Sequence, residues 1–396
     1  MLITRIIRFI PKRIVFLNTK TFSSEESGAI LTEHKSCGII TLNRPKVLNS
    51  LNVPMVRTIY PRLKEWNENP MISHVIIEGA GDRAFCAGGD VRAVIEGIKV
   101  GDPVSELFFR EEYRLNHLIG ILQKPYIAFI DGVTMGGGAG LSVHGRYRVA
   151  TERTLFSMPE TAIGFFPDVG GGYFLPRLHH PGLGCFLGLT GHRLQGVEVL
   201  WAELATHYKP SSELKYLKEK LINLEFPPAR NKADLVAIDE AIKKVLDGPV
   251  DLQIPESLST HLNTIDSVFA LFHGDKPVLM EDIMEKLKAC ARDNSVSRVW
   301  AEKCFDTLNL MSPLSLKVTL RQLQKGQTVS FADDFKMEFR MSQRFIHNHD
   351  FPEGVRALLV EKDKKPKWQP NHLDQISLEE VDRYFEPLTH TAEWEP

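Results

Sequence analysis

The chain has 396 residues, with 48 Lys and Arg against 50 Asp and Glu, a formal net charge of −2. That balance excludes a general nucleic-acid binder, because no basic excess is present to neutralise phosphates. Length and an apolar content of 43% imply an ordinary globular protein of two or three domains. The five cysteines, Cys37, Cys86, Cys185, Cys290 and Cys304, are far apart and never form a C-x-x-C pair. They read as reduced thiols, neither disulfides nor metal ligands.

The first residues differ from the rest. Arg5, Arg8, Lys12, Arg13 and Lys20 alternate with Ile, Leu and Phe, and the first acid is Glu25. This is the composition of a mitochondrial transit peptide over 1–27, removed before Gly28. Bases and Pro11 break the run that a secretory signal needs, and no stretch elsewhere is long enough to span a bilayer.

Gly28 to Leu42 predicts two strands around a turn at Ser36 to Gly38. Asn52 and Pro54 suit the cap and first turn of a helix reaching about Asn67, with Met55, Ile59, Leu63 and Trp66 on one face. Val75 to Ile77 predicts a buried strand. The loop Ala84-Phe85-Cys86-Ala87-Gly88-Gly89-Asp90 then precedes a helix over Val91 to Ile98. Phe108 to Leu122 predicts another helix, with Tyr113, Leu115, Leu118 and Leu122 inward. Glu111 and Glu112 lie near its start, where the helix dipole alone would account for them unless one faces a site.

Pro125 to Ile130 predicts a buried strand. Gly136, Gly137 and Gly138 follow, opening a small-residue helix from Gly138 to His144. Strand, glycine turn and helix start thus occur twice, at Gly89 and at Gly137. Side by side, the two turns would aim two backbone N–H groups at one oxygen, as an oxyanion hole does. One donor of such a hole is worth about 3–4 kcal/mol in a transition state. Glu160, beside Pro159, and Asp168, ahead of Gly170-Gly171-Gly172, are acids among apolar residues, which is costly unless they are used or paired. The plainer account is that glycines permit close packing and that the two acids are caps.

Past Pro210 the periodicity turns helical, at 235, 238, 242 and 246, at 279, 283 and 287, and at 331, 335, 339 and 345. The aromatic residues there read as core. His347 and His349 are too close together to bind a metal from one helix face, so no metal or cofactor is expected. Gly140-Leu141-Ser142-Val143-His144 fails the serine-hydrolase elbow, because His144 replaces its second glycine. The G-x-G-x-x-G phosphate fingerprint is not matched at either glycine cluster.

From about Gly28 to about Leu388 the chain resembles the crotonase (enoyl-CoA hydratase/isomerase) superfamily. The marks are Leu42-Asn43-Arg44-Pro45, Phe85 to Asp90, Met135-Gly136-Gly137-Gly138 and Glu353-Gly354-Val355-Arg356-Ala357. Hydratases of that family carry a glutamate where this chain has Gly140, and a glycine where it has Asp168. Met158 to Leu178, Met311 to Lys317 and Glu361 to Trp368 resemble instead a branch that hydrolyses acyl-CoA thioesters.

The resemblance implies an α/β (α+β) fold, a spiral of β-β-α repeats over 28–230 with a mainly helical region, 231–396, covering the site. It implies hydrolysis of a short, branched 3-hydroxyacyl-CoA such as 3-hydroxyisobutyryl-CoA, as in valine breakdown in the mitochondrial matrix. The amides of Gly89 and Gly137 would form the oxyanion hole, Glu160 and Asp168 would be the catalytic acids, and Glu112 would contact substrate. CoA enters only as part of the small-molecule substrate, and nucleic acid and membrane are not expected partners. Self-association stays open, since many crotonases are trimers or hexamers and a longer helical half would cover the trimer surface. The competing readings are an enoyl-CoA hydratase or isomerase and a catalytically silent binding scaffold.

Overall fold

The computed structural model of the chain describes residues 19–21, 27–102, 104–248, 256–293, 296–389 and 391–396. The leader expected over 1–27 falls largely outside the described residues. Of it, Thr19–Thr21 form an edge strand, β1, antiparallel to β2 (Ala29–His34).

β2 and β3 (Cys37–Leu42) make the expected hairpin. The Asn52 side chain accepts the amide of Met55 at the start of α1 (Val53–Glu68), whose first turn holds Pro54. Met55, Ile59, Leu63 and Trp66 are buried along it.

The chain then advances by repeated turns, each delivering one strand to each of two sheets. β4 (His74–Gly79) and β5 (Ala84–Cys86) are followed by α2 (Val91–Val100) and α3 (Val104–Ile121). β6 (Tyr126–Phe129) and β7 (Val133–Met135) lead to α4 (Gly137–Gly140). β8 (Tyr147–Ala150) and β9 (Leu155–Ser157) lead to a 3-10 turn at Glu160–Ile163. With β10 (Leu194–Gln195) and β11 (His207–Tyr208), the larger sheet runs β1-β2-β3-β4-β6-β8-β11 and the smaller β10-β9-β7-β5. Apart from β1, β2 and β10, neighbouring strands in both sheets are parallel. This is the α/β spiral of β-β-α repeats that the resemblance implied.

Alternation along the larger sheet sorts its two faces. Ile39, Ile76, Ile127 and Tyr147 lie side by side in register. They pack against Leu214, Leu217 and Leu221 of one helix and Ile238, Ile242 and Leu246 of another. Ile40, Ile77 and Ala128 face the opposite way, into an apolar core that continues to Trp394. Most of the C-terminal helices, among them Pro313–Gly326 and Phe331–Phe345, bury residues in that same core.

Two expectations are corrected. The segment Gly138 to His144 is helical only as far as Gly140 and continues as turns. Its glycines are poor helix formers, and the Ser142 hydroxyl donates to the carbonyls of Gly138 and Ala139. Leu279 belongs not to the buried stripe with Ile283 and Leu287 but to the exposed position ahead of the helix Met280–Arg292.

Candidate active site

The site follows from the order of the smaller sheet. β9, β7 and β5 are adjacent and parallel, so the loops at their C-terminal ends leave one edge together. β5 delivers Gly88 and Gly89, β7 delivers Gly136 and Gly137, and β9 delivers Glu160. Residues far apart in sequence thereby become neighbours.

The glycines measure how close these neighbours are. A Cβ on Gly137 would lie 3.1 Å from the amide nitrogen of Gly89 and 2.5 Å from Oε1 of Glu112. A Cβ on Gly136 would lie 2.8 Å from Oε1 of Glu160, and its φ of +46° with ψ of −117° is open only to glycine. Two backbone turns and two carboxylates therefore converge on one small volume. Neither the Gly89 nor the Gly137 amide finds a protein acceptor among the described residues, as an oxyanion hole requires.

Glu112, Glu160 and Asp168 are all buried. Glu112 stands on α3 one turn ahead of Asn116, and the helix begins at Val104, so the helix dipole at a solvated N-terminus does not account for this buried acid. The adjoining Glu111 turns outward and pairs with Arg57 at 2.7 Å. Oε1 of Glu112 and Oε2 of Glu160 have no hydrogen-bond partner among the described residues. Asp168 accepts from the Tyr113 hydroxyl at 2.9 Å.

Burial and mutual repulsion drive these acids toward their protonated forms. Desolvation, then the charges of Asp168 and Glu160, hold Glu112 well above the usual carboxylate range. Desolvation and Asp168 do the same to Glu160. Desolvation pushes Asp168 up to about 7, against the Tyr113 hydrogen bond. None of the three forms an ion pair among the described residues. Buried acids of this kind can take and return protons near neutrality.

Asp168 sits on a held turn. Val169 has φ of +55° and Gly170 +89°; for a β-branched residue the former is a strained conformation, of order 1–3 kcal/mol. Nε2 of His144 donates to the Val169 carbonyl at 2.7 Å. Burial lowers His144 to about 4, so it is neutral and serves the backbone, not Ser142. Gly140 admits no larger residue, since its Cβ would lie 2.7 Å from Cβ of Val169 and 2.8 Å from Nδ2 of Asn116. A side-chain acid at position 140 has no room.

Sequence reasoning missed Tyr113 and Asn116 as site residues. Tyr113 was assigned to the core, which its ring does join. The spacing of Glu112 and Asn116 by four residues, two polar groups on an otherwise apolar helix face, was the available signal. The Asn116 amide is fully buried with neither its oxygen nor its nitrogen partnered among the described residues. No group of three potential metal ligands occurs among those residues either.

The spiral of β-β-α repeats is the crotonase fold, and residues 37–385 match the family model of enoyl-CoA hydratase/isomerase. The chain belongs to that family. Among curated relatives it is 48% identical over 378 residues to the mitochondrial 3-hydroxyisobutyryl-CoA hydrolase of Gallus gallus, with 95% of this chain and 94% of that one covered. The enzyme of the same name from Homo sapiens is 46% identical, with 94% and 91% covered. Among solved structures, an enoyl-CoA hydratase from Rhodobacter sphaeroides has a TM-score of 0.78 at 31% identity, covering 91% of this chain and 98% of that one. A carnitinyl-CoA dehydratase from Mycobacterium thermoresistibile has a TM-score of 0.77 at 32% identity, covering 92% and 97%.

Proposed function

We propose that the chain is an acyl-CoA thioester hydrolase that cleaves 3-hydroxyisobutyryl-CoA to 3-hydroxyisobutyrate and CoA in valine catabolism. 3-Hydroxypropionyl-CoA is the expected second substrate. One observation carries the reading: the Gly89 amide lies against Gly137 while Glu112 and Glu160 face the same two-glycine turn. The nearly full-length similarity to enzymes named for this hydrolysis supports it.

In this reading the thioester carbonyl oxygen lies between the amides of Gly89 and Gly137, where negative charge develops on attack. Glu160 either takes a proton from the attacking water or attacks the carbonyl carbon itself, forming an anhydride that water then opens. In both routes a C–O bond forms, the C–S bond breaks and the thiolate departs. Asp168, near neutrality in its titration, orients water or returns a proton to the departing sulfur. Glu112 holds the substrate hydroxyl.

Hydration of an enoyl-CoA is the second reading, favoured by the hydratase and dehydratase among the solved relatives. The crowding around Gly140 speaks against it, because a second carboxylate cannot enter there. We further propose that residues 28–230 form the catalytic core, that 231–396 cover it, and that the basic leader directs the chain to the mitochondrial matrix, in keeping with relatives named mitochondrial.

Thiol release from 3-hydroxyisobutyryl-CoA, 3-hydroxypropionyl-CoA and crotonyl-CoA, measured beside crotonyl-CoA hydration, tests the assignment. The two hydroxyacyl thioesters are expected to release thiol and crotonyl-CoA to remain unhydrated. Hydration without thiol release overturns the reading.

A further inference from the structure

We propose that Glu338, backed by Gln322, is a positioning residue for Asp168, so that two helices of the C-terminal half clamp the turn carrying this acid; the proposal rests on the functional reading above. Glu338 lies on the helix Phe331–Phe345 and is fully buried. Its Oε2 accepts the amide of Gly170 at 2.8 Å and its Oε1 the amide of Gly172 at 2.9 Å. Nε2 of Gln322, on the helix Pro313–Gly326, donates to Oε1 of Glu338 at 3.0 Å and to the Pro167 carbonyl at 2.8 Å. The backbone on both sides of Asp168 is thus tied to one carboxylate–amide pair. Besides it, the left-handed Val169 is held by His144 on its carbonyl and by the Gly171 amide, which donates to the Asp168 carbonyl at 2.9 Å.

A carboxylate this deep needs a reason and a partner. Asp334, one turn earlier on the same helix, is also fully buried. Desolvation pushes Asp334 up to about 7 and, with the charges of Asp334 and Asp168, raises Glu338 well above the usual range. Three N–H donors favour the charged form of Glu338, and the charge of Arg177 and the Tyr173 backbone favour charge on Asp334. The groups that face this cluster from other elements are Tyr113 and Glu112 on α3, Glu160, neutral His144, and Arg177, whose charge acts on Asp334. Glu338 thus fixes the turn that carries Asp168 through the amides of Gly170 and Gly172.

Glu338→Ala and Glu338→Gln test the clamp in the full chain. Misplacement of a reacting group by about 1 Å lowers turnover about 10²-fold. Glu338→Ala is expected to lower kcat by about that factor with KM changing far less, since Glu112, Gly89 and Gly137 are untouched. Glu338→Gln keeps one acceptor oxygen, so it is expected to lose less than Glu338→Ala. Hydrogen exchange of the peptide spanning 169–174 is expected to accelerate in both variants, with the α1 peptide unchanged. That readout needs no activity: a wild-type chain that releases no thiol overturns the functional reading, while exchange still decides on the clamp. Wild-type kcat and exchange in folded Glu338→Gln and Glu338→Ala overturn the proposal. A KM that rises as much as kcat falls does so too, because it marks general loosening.

Discussion

The hydroxyl of Tyr113 donates to Oδ2 of Asp168 at 2.9 Å, with both residues buried. It joins α3 to the turn after the third spiral repeat, and it is the one side-chain hydrogen bond to that acid among the described residues. Because it stabilises the charged form, it opposes the upward pull of burial.

Tyr113→Phe removes the donor and leaves the ring packing against Phe109 and Phe335. Hydrogen bonds to charged groups contribute about 1.5–3 kcal/mol, which corresponds to about 1–2 pH units of titration. The limb of the kcat–pH profile set by Asp168 is therefore expected to move to higher pH by about that amount. A profile identical to wild type would disconnect the pair from turnover.

Asp168 also makes the stability of the fold depend on pH. Its proton is held more tightly in the folded chain than in the unfolded one, so the folded state binds more protons and stability falls as pH rises from 3.8 to about 7. Glu112 and Glu160 act in the same direction. Asp168→Asn is expected to melt above wild type beyond neutrality, with the advantage shrinking as pH falls through that window. Thermal melts across a pH series check this, and a variant that melts lower than wild type throughout refutes it.

Gly137→Ala keeps the amide donor but sets a methyl group 2.5 Å from Oε1 of Glu112 and 3.1 Å from the Gly89 nitrogen. Displacing one oxyanion donor lowers kcat about 10²–10³-fold. Thiol-release kinetics are expected to show at least that loss, with circular dichroism unchanged. Activity near wild type would remove Gly137 from the site.

Much of the fold and part of the site were legible in the sequence because they depend on local rules. Asn52 and Pro54 mark a helix start by cap chemistry and fixed φ, and the glycine clusters after short apolar runs mark turns at strand ends. Glu160 stood out as an acid beside Pro159. Glu112 could be told from Glu111 only by its spacing of four from Asn116, and the start of α3 at Val104 sets both acids well inside the helix. The extent of α4 was misjudged because low helix propensity at its glycines outweighs apolar patterning. Glu338 and Gln322 were illegible for another reason: they meet Gly170 and Pro167 across more than 150 residues, and only packing of the C-terminal helices brings them together.

The account depends on Glu160 reaching the thioester that the amides of Gly89 and Gly137 hold. The most direct measurement is thiol release from 3-hydroxyisobutyryl-CoA by Glu160→Ala beside wild type, with fold verified by circular dichroism. Removing the acid or nucleophile is expected to cut kcat by about 10²–10⁴-fold or more, with the residual rate owed to the two amides. Turnover by Glu160→Ala close to that of wild type would contradict the assignment of the site.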